Sequence, residues 1–332
     1  MEKKTKSTEE NLATKIIFQN QPLLSEHEVD QKFNERRLAL VPHVEKFIKE
    51  HELFQGKEVS VQFSEKGVSS LVSIIETKTE KFVLKIALGL HYTGGEADFL
   101  KVWEEVGVKV PRVLESGRIH GHEYVLMQYV NASMLNKAYS DEKMREMGIY
   151  EEMGRTLRIM HGPKAKGFGK FLDGKAEFEK FEDWINEPSI NKRIEYIKDN
   201  NILDDAESLM AKVKKILIKA LNNSDESIYC HFDFGTHNIF ATKPITVFDP
   251  SPRFNNFYID VGRSAQSFIS KGYISSLDQF IEGYFNGKPY DNNVLTASII
   301  FNILYKIPYV HKTKRFDNIE NYKNYIANNP LS

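Results

Sequence analysis

The hydrophobic periodicity of the chain changes at residue 58 and again after residue 130, which limits the folds it can adopt. Five short runs rich in Val, Ile and Phe, separated by polar turn-like segments, lie between these positions and predict β-strands. The runs span residues 58–63, 71–77, 82–87, 110–116 and 123–130. A helix is expected over residues 95–106, so this region predicts a small lobe of five antiparallel strands and one helix.

Helical spacing dominates after residue 130. Apolar residues recur every three or four positions from Met144 to Met160, and a second periodic segment covers residues 203–221. Short strand-like runs return between residues 228 and 248, and helices resume from residue 257. The fold class is therefore α+β. We expect a helical extension over residues 1–57, an N-terminal lobe over 58–130 and a mainly helical lobe over 131–332, with a ligand cleft between the lobes.

Composition excludes several classes of protein. The chain has 332 residues, with 45 Lys+Arg against 46 Asp+Glu and a net charge of -1, which argues against a general nucleic-acid binder. The single cysteine, Cys230, excludes a disulfide framework and favours a reducing compartment. The apolar stretch 299–310 is interrupted by Asn302 and Lys306 and is shorter than the ~20 residues of a membrane helix. We expect a cytoplasmic protein with no membrane partner.

Three residues with oxygen-bearing side chains follow strand-like runs late in the chain. A predicted strand leads into Asp233, Asn238 lies five residues later, and Asp249 ends the next apolar run. Carboxylate and amide oxygens suit Mg²⁺, which also binds substrate phosphates. Asp233 can then accept a proton from a hydroxyl nucleophile, as in phosphoryl transfer. The alternative is that Asp233 and Asn238 are turn residues that make local hydrogen bonds.

A zinc site is a further alternative in the same segment. It would combine Cys230, His231, Asp233 and His237. Neighbouring residues in a strand point to opposite faces, so Cys230 and His231 do not readily share a metal ion. Magnesium is the favoured interpretation.

A lysine and a glutamate in the first lobe support the same chemistry. Alternation along residues 82–87 places Lys85 among apolar neighbours, and Glu96 precedes Phe99, Leu100 and Trp103 at helical spacing. A lysine and a glutamate that both face inward can pair and hold phosphate oxygens. The alternative is a sheet-edge lysine and a glutamate stabilised by the helix dipole.

The segment that joins the first two strands is a weaker phosphate-binding candidate. It contains Ser64, Gly67 and Ser69, whose backbone N–H groups and hydroxyls are suited to covering nucleotide phosphates. The segment lacks the spacing of a Walker A loop or a dinucleotide-binding fingerprint, which argues against those two nucleotide-binding classes.

In this order, the pieces resemble the aminoglycoside phosphotransferase and choline kinase superfamily, relatives of the protein kinases, over about residues 58–284. The resemblance implies a two-lobed protein-kinase-like fold and transfer of the γ-phosphoryl group of ATP or GTP, with Mg²⁺, to a hydroxyl of a small soluble acceptor. In the family's His-x-Asp-x-x-x-x-Asn loop, Asp233 matches the catalytic residue and Asn238 a metal ligand. Asp249 matches the second metal ligand.

The resemblance also implies supporting roles. His231 and Asp260 match residues that brace the catalytic loop. Lys85, positioned by Glu96, grips the nucleotide phosphates, while Gln128 and Val130 lie in the hinge that binds adenine through backbone groups. The chain departs from the pattern at Phe232, where the family commonly has glycine, and at Pro250, directly after the second metal ligand.

The acceptor is predicted from local charge. Residues 171–230 contain 13 Asp+Glu and 9 Lys+Arg, an acidic excess that suits a polycationic aminoglycoside and hence antibiotic resistance. The alternative for these carboxylates is a solvated helix face. Other acceptors remain open: choline-like amines, sugars and amino-acid hydroxyls. A catalytically silent nucleotide-binding scaffold is a second hypothesis, and a protein kinase is disfavoured because no long activation segment separates Asp249 from Asp260. The sequence does not indicate an oligomeric state.

Overall fold

The computed structural model describes residues 14–26, 28–64, 70–89, 95–172, 174–222 and 226–332. Packing divides these residues into two compact units. The first comprises the described residues before 94 together with 113–129, and the second comprises the described residues of 94–112 and 130–332. Strands predominate in the first unit and helices in the second, so the α+β fold class is confirmed.

The first unit is built on a six-stranded sheet with the strand order β1-β2-β3-β4-β6-β5. Its strands are β1 (Lys15–Phe18), β2 (Glu58–Phe63), β3 (Ser70–Glu76), β4 (Lys81–Ala87), β5 (Val113–Ile119) and β6 (His122–Gln128). Strands β2 to β6 are the five predicted antiparallel strands, with small shifts of their ends. The structure adds β1, which runs parallel to β2.

The prediction that residues 1–57 are helical is wrong at Lys15–Phe18. This short segment is a strand because it pairs with β2, where Lys15 lies opposite Glu58 and their side chains form an ion pair at 2.7 Å. The Asn20 side chain continues the pairing, since its amide accepts from the Phe63 N–H at 2.7 Å and donates to the Phe63 carbonyl at 2.9 Å. Pairing with a strand 43 residues later determines the conformation of this segment, although its local sequence pattern is helical.

Two helices and a 3₁₀ turn complete the described part of this region: α1 (Glu28–Gln31), α2 (Asn34–Glu50) and the turn Glu52–Phe54. One face of α2 carries Leu40, Val44, Phe47 and Ile48 at helical spacing, and all four are buried in the same core as the apolar residues of the sheet. Helix α2 therefore shares one core with the sheet.

The second unit contains most of the helices. They are α3 (Glu96–Glu105), α4 (Leu135–Ala138), α5 (Asp141–Glu146), α6 (Ile149–Met160), α7 (Phe181–Ile185), α8 (Pro188–Asp199), α9 (Ala206–Leu221), α10 (Phe257–Ile269), α11 (Ile274–Phe285), α12 (Asn292–Lys312) and α13 (Phe316–Asn328). Helix α3 is present where it was predicted, but it clusters with this unit rather than with the six-stranded sheet.

Short strands in the second unit position the loops between them. A five-stranded sheet has the order β7-β10-β13-β8-β9, and β11 pairs with β12 as a separate ribbon. The strands are β7 (Lys164–Lys166), β8 (Phe168–Leu172), β9 (Lys175–Phe178), β10 (Glu226–Cys230), β11 (Ile239–Phe240), β12 (Thr246–Val247) and β13 (Arg253–Asn255). Strand β10 thus delivers the chain into the loop 231–238, and the β11–β12 ribbon returns it to Asp249.

Helix α12 forms much of the core of the second unit. Its 21 residues are long and apolar enough to cross a membrane by length and composition, but 72% of its most apolar window is buried inside the fold, as in a core helix. It packs closely on α10, where a Cβ added to Gly262 would lie 2.3 Å from the Ser298 hydroxyl. The two helices therefore approach at a distance that only glycine permits at residue 262.

Candidate active site

The loop between β10 and β11 is held in place by a buried carboxylate. Both oxygens of Asp260, on the first turn of α10, accept backbone hydrogen bonds at 2.8 Å, from the N–H of His231 and the N–H of Phe232. The Asp260 side chain is fully buried, and the Nε2–H of His161 donates to it at 3.0 Å. The Tyr284 hydroxyl extends this hydrogen-bonded network and lies 2.8 Å from His161 Nδ1. This is the geometry that a bracing role for Asp260 requires.

His231 links the start of the loop to its return. Its Nε2 lies 3.0 Å from the Phe248 carbonyl, which can only accept, so Nε2 carries the proton. Its Nδ1 then accepts from the N–H of Asp233 at 3.3 Å. Burial lowers the pKa of His231, which keeps the ring neutral in this arrangement. The ring stacks on Trp103 of α3 with centroids 5.7 Å apart.

Backbone strain marks the two residues that flank the loop and its return. Phe232 has φ +59° and Asp249 has φ +55°, both in the left-handed region that favours glycine. Glycine adopts this left-handed conformation without strain, which explains why the family that the motif resembles commonly has glycine at the position of Phe232. Here a bulky residue occupies it, and the ring is 5% exposed and lies 4.6 Å from the Arg253 guanidinium.

The Asp233 carboxylate lies at the tip of this loop among donors and positive charges. Asn238 Nδ2 donates to its Oδ2 at 3.0 Å and His237 Nε2 lies 3.4 Å from the same oxygen, while Arg263 Nη2 is 4.0 Å from Oδ1. Burial acts to raise the pKa of Asp233, but the His237 hydrogen bond and the charges of His237, Arg263 and Lys306 outweigh it and lower the pKa. The lowered pKa keeps the carboxylate ionised, and the side chain is 44% exposed.

Asn238 connects the loop to the return strand. It is 4% exposed, and its Nδ2 donates to the Asp233 carbonyl at 2.9 Å as well as to the Asp233 carboxylate. The same Nδ2 lies 3.5 Å from the Asp249 carbonyl. Because all three partners are acceptors, the amide nitrogen faces them and the amide oxygen faces away. The structure therefore brings the side chains of Asp233 and Asn238 together, and Asn238 reaches Asp249 at its backbone carbonyl.

The donor set fits Mg²⁺ better than zinc. An amide oxygen and a carboxylate are hard ligands of the kind that Mg²⁺ shares with water and phosphate oxygens. Within the described ranges, no group of three or more His, Cys, Asp and Glu side chains is arranged to hold a metal ion. Burial raises the pKa of the Cys230 thiol well above its usual value, which disfavours the thiolate that zinc requires. The geometry thus does not support the zinc alternative.

The other predicted nucleotide-binding residues lie partly in the first unit. Lys85 is 7% exposed in β4, between Val72 of β3 and Val125 of β6. Glu96, in the second unit, is 2% exposed and begins α3. Burial of both side chains agrees with the inward orientation that the spacing predicts, and their pairing stays a prediction.

The hinge and the phosphate-covering loop are described only in part. Gln128 ends β6 opposite Phe82, and the Val130 carbonyl accepts from the Ala132 N–H at 2.9 Å. The Ser64 N–H donates to the Val72 carbonyl at 2.9 Å. Gly67 and Ser69 lie outside the described residues. Nucleotide contacts of all these residues stay predictions.

Two cationic residues beside Asp233 were missed by sequence reasoning. Arg263 lies one helical turn after Asp260 on α10, a spacing that places both residues on one helix face and could have indicated it. Lys306 was treated only as an interruption of an apolar stretch. Burial and the positive charges around it lower the pKa of Lys306 to about 8. The signal that could have identified Lys306 is a charged residue within an otherwise apolar helix.

The acidic residues predicted to bind a cationic acceptor lie on the surface. Glu177, Glu179, Glu182 and Asp183 are exposed, and Asp173 lies outside the described residues. Glu177 lies 3.7 Å from the Lys170 ammonium, and Glu182 accepts from Asn222 at 3.2 Å. In the described parts of the chain, no hydrogen bond or ion pair joins these carboxylates to the loop 231–238. The solvated-face alternative accounts for them.

A cavity of about 910 Å³ lies elsewhere in the second unit. It is lined by parts of α11, α12 and α13, including Asp278, Tyr290, Thr296, Asn321 and Tyr325. Asp233, Asn238 and Asp249 are not among its lining residues. The cavity is therefore distinct from the residues on which the predicted chemistry depends.

Comparison with known proteins gives a consistent picture. The profile of the phosphotransferase enzyme family matches residues 60–288. A probable ketoamine kinase of Staphylococcus aureus is 23% identical over 205 residues, which cover 57% of this chain and 67% of that protein. Among solved structures, a thermostable mutant of aminoglycoside phosphotransferase APH(4)-Ia in complex with ADP and hygromycin B has a TM-score of 0.60 at 14% identity, covering 83% of this chain and 96% of the other.

A putative fructosamine-3-kinase of Thermobifida fusca has a TM-score of 0.54 at 17% identity and covers 82% of this chain and 95% of the other. At these identities the structural likenesses establish the fold. They confirm the protein-kinase-like architecture that the ordered motifs predict.

Proposed function

Because the chain belongs to the phosphotransferase enzyme family, we propose that it transfers the γ-phosphoryl group of ATP to a hydroxyl group of a small-molecule acceptor. The observation that supports this most directly is the position of Asp233. Its carboxylate is ionised, 44% exposed and oriented by Asn238 at 3.0 Å, on a loop whose backbone is anchored by buried Asp260.

In the proposed reaction, the acceptor oxygen forms a bond to the γ-phosphorus and the hydroxyl proton passes to Asp233. The bond between the γ-phosphorus and the bridging oxygen breaks, and its electron pair leaves with ADP. Asp233 acts as the base and orients the hydroxyl. A low pKa suits orientation, since the carboxylate stays available to accept a hydrogen bond throughout the pH range of a cell.

Asn238 and Asp249 would hold Mg²⁺ through the amide oxygen and the carboxylate. When bound, the ion would neutralise charge on the phosphate oxygens. Lys85, positioned by Glu96, would contribute a second positive charge to the phosphates. Support for ATP comes from the solved relatives that contain ADP or AMP-PNP. GTP stays an alternative donor, which is tested by repeating the assay with GTP and measuring GDP release.

Two acceptor classes are represented among the relatives. One is the aminoglycoside class, as in the complex with hygromycin B, and the other is the ketoamine class named for the Staphylococcus aureus relative. The aminoglycoside prediction, with its consequence of antibiotic resistance, depended on the acidic residues between 171 and 230. Among these, Glu177, Glu179, Glu182 and Asp183 are exposed. Glu177 contacts Lys170 and Glu182 contacts Asn222, both outside the loop 231–238, which weakens that support.

The proposal is tested by measuring ADP release from purified protein with ATP and Mg²⁺, with and without each acceptor of a panel. The panel contains hygromycin B, a fructose-derived ketoamine, choline, a sugar and serine. We expect one class to stimulate ADP release and to be recovered as a phosphate ester.

The metal assignment has its own test. Asp249→Ala should weaken the affinity for Mg²⁺–AMP-PNP at least about tenfold and leave the affinity for metal-free nucleotide unchanged. Unchanged Mg²⁺–AMP-PNP affinity would contradict the role of Asp249. Absence of nucleotide binding by the wild-type protein would contradict the proposed function as a whole.

A further inference from the structure

Positive charge is concentrated around the Lys306 ammonium, near Asp233. Four basic residues form what we call the cationic cluster: Arg193 of α8, Arg263 of α10, Lys306 of α12 and the exposed Arg315, which immediately precedes α13. Lys306 and Arg315 lie over the same Tyr309 ring, 4.5 and 5.8 Å from its centre, and Arg263 lies 4.0 Å from Asp233. The charges that act most strongly on the Lys306 ammonium are the three arginines and Asp233. Positive charges thus exceed negative ones by three among these five groups.

The cluster is fixed mainly by neutral partners, and Asp233 offsets only part of its charge. Arg263 donates from Nε to the Phe232 carbonyl at 3.1 Å and from Nη1 to the Gln266 side chain at 3.2 Å. Its side chain is 11% exposed, and its Nη2 reaches Asp233 Oδ1 only at 4.0 Å. Arg263 is therefore held in position by a carbonyl and an amide, and its charge is directed toward the space beside Asp233.

Arg193 and Lys306 are arranged in a similar way. Arg193 donates from Nη1 to the Tyr305 carbonyl at 3.0 Å and stacks on the Tyr305 ring at 3.8 Å, while its buried Nε has no hydrogen-bond partner. The Lys306 ammonium lies 4.5 Å from the centre of the Tyr309 ring. No carboxylate of the described residues forms an ion pair with either side chain within 4.0 Å. Burial acts on the Lys306 ammonium, and a desolvated cation is costly unless an anion compensates it.

Arg263 of the cluster approaches the Asp233 carboxylate through the oxygen that the proposed metal ligand Asn238 does not contact. Asn238 and His237 contact Oδ2, whereas Arg263 approaches Oδ1. The nucleotide phosphates are assigned to the Asn238 side through Mg²⁺. The Oδ1 side is therefore the side we assign to the acceptor whose hydroxyl Asp233 would deprotonate.

We infer that the acceptor carries an anionic group, a carboxylate or a phosphate ester, in addition to its reactive hydroxyl, and that Lys306 and Arg263 bind this group beside Asp233. The inference rests on the proposed function. It excludes polycationic aminoglycosides and choline-like amines, which the cluster repels, and it excludes uncharged sugars as preferred acceptors. The tyrosine rings that could attract a cation are already occupied by Arg193 and Lys306.

The test compares acceptors that differ only in charge. To test a carboxylate as the anionic group, one acceptor is the ketoamine formed from glucose and glycine. Its uncharged counterpart is the same ketoamine with the carboxylate converted to a methylamide. For the phosphate source, the pair is glucose 6-phosphate and glucose, and hygromycin B serves as the polycation. We expect one anionic member to exceed its uncharged counterpart in kcat/KM at least about tenfold. Equal or higher kcat/KM for the uncharged members or hygromycin B would overturn the inference, while the phosphotransferase activity would stand.

Variants of Lys306 separate acceptor binding from nucleotide binding. Lys306→Met should raise the KM for the anionic acceptor at least about tenfold and leave the KM for ATP within twofold, and Lys306→Arg should restore most of the acceptor affinity. The matched control is Lys312→Met on the same helix, where the ammonium lies over the Tyr196 ring, and it should change neither constant. A rise in the KM for ATP equal to that for the acceptor would assign the cluster to the nucleotide and overturn the inference.

A binding measurement keeps the inference testable apart from turnover. Malonate and glycerol 3-phosphate are titrated into protein saturated with Mg²⁺–AMP-PNP, so that the nucleotide phosphates already occupy their own site. Binding of one of them to wild type, lost in Lys306→Met, supports the inference. Binding of neither, in protein that retains AMP-PNP, overturns it. Failure of AMP-PNP itself to bind contradicts the proposed function and leaves the anion titration of the nucleotide-free protein to decide the anion site.

Discussion

Two regions surround the Asp233 carboxylate, the loop 231–238 that carries it and the cationic cluster next to it, and they are stabilised in opposite ways. In the loop, the polar groups that determine the backbone have partners of opposite character: Asp260 accepts from two N–H groups, and Asn238 joins three acceptors. In the cluster, like charges meet and their partners are carbonyls, an amide and aromatic rings. The first region is complete without a ligand, whereas in the second Asp233 balances only part of the positive charge.

This difference indicates that the loop performs the reaction and that the cluster selects the acceptor. A reaction centre has to be preorganised, so its hydrogen bonds are satisfied within the protein. A binding site for a charged group gains affinity from charges that the protein alone does not neutralise. We therefore expect substitutions in the loop support to affect stability, and substitutions in the cluster to affect acceptor affinity.

The largest stability effect is expected at Asp260. Asp260→Ala leaves two buried N–H groups and the His161 ring without their acceptor, so the free energy of unfolding should fall by about 3–5 kcal/mol. Urea denaturation measures this. The matched control is Asp291→Ala, which removes the exposed N-cap of α12 and should cost about 1 kcal/mol. A loss at Asp260 no larger than that at Asp291 would show that the loop is not braced in this way.

A smaller effect is expected at Phe232, where the two regions meet. Phe232→Gly relieves the positive φ by about 1–2 kcal/mol but removes a buried ring that lies near Arg253 and Arg263, which costs about 3–5 kcal/mol. We expect a net loss of about 2 kcal/mol in thermal or urea unfolding. A more stable variant would mean that the ring contributes little and that the strain dominates.

The smallest effect is a pH dependence of acceptor binding. The pKa of Lys306 is about 8, lowered first by burial and then by Arg263, Arg315 and Arg193, with Asp233 opposing them. The ammonium binds an anion only when protonated, so kcat/KM for the anionic acceptor should decline as pH rises through about 8. Lys306→Arg should remove this decline, because arginine stays charged. An identical decline in Lys306→Arg would assign the titration to another group.

Much of the loop was predictable because its residues are close in the chain. Asp233, Asn238 and Asp249 are separated by one strand pair, so strand-like runs and polar residues were enough to bring them together. The strand Lys15–Phe18 was missed because its partner, β2, lies 43 residues away and decides its conformation. Arg263 and Lys306 were missed because they meet only through the close packing of α10 on α12, where Gly262 faces Ser298.

The central claim is that Asp233 accepts the proton of an acceptor hydroxyl during phosphoryl transfer. The most direct measurement is the single-turnover rate of Asp233→Asn at saturating ATP, Mg²⁺ and the acceptor that gives the highest wild-type rate. We expect this rate to fall at least about a hundredfold while the affinity for Mg²⁺–AMP-PNP stays within threefold of wild type. A variant that binds nucleotide normally and retains most of the transfer rate would contradict the claim.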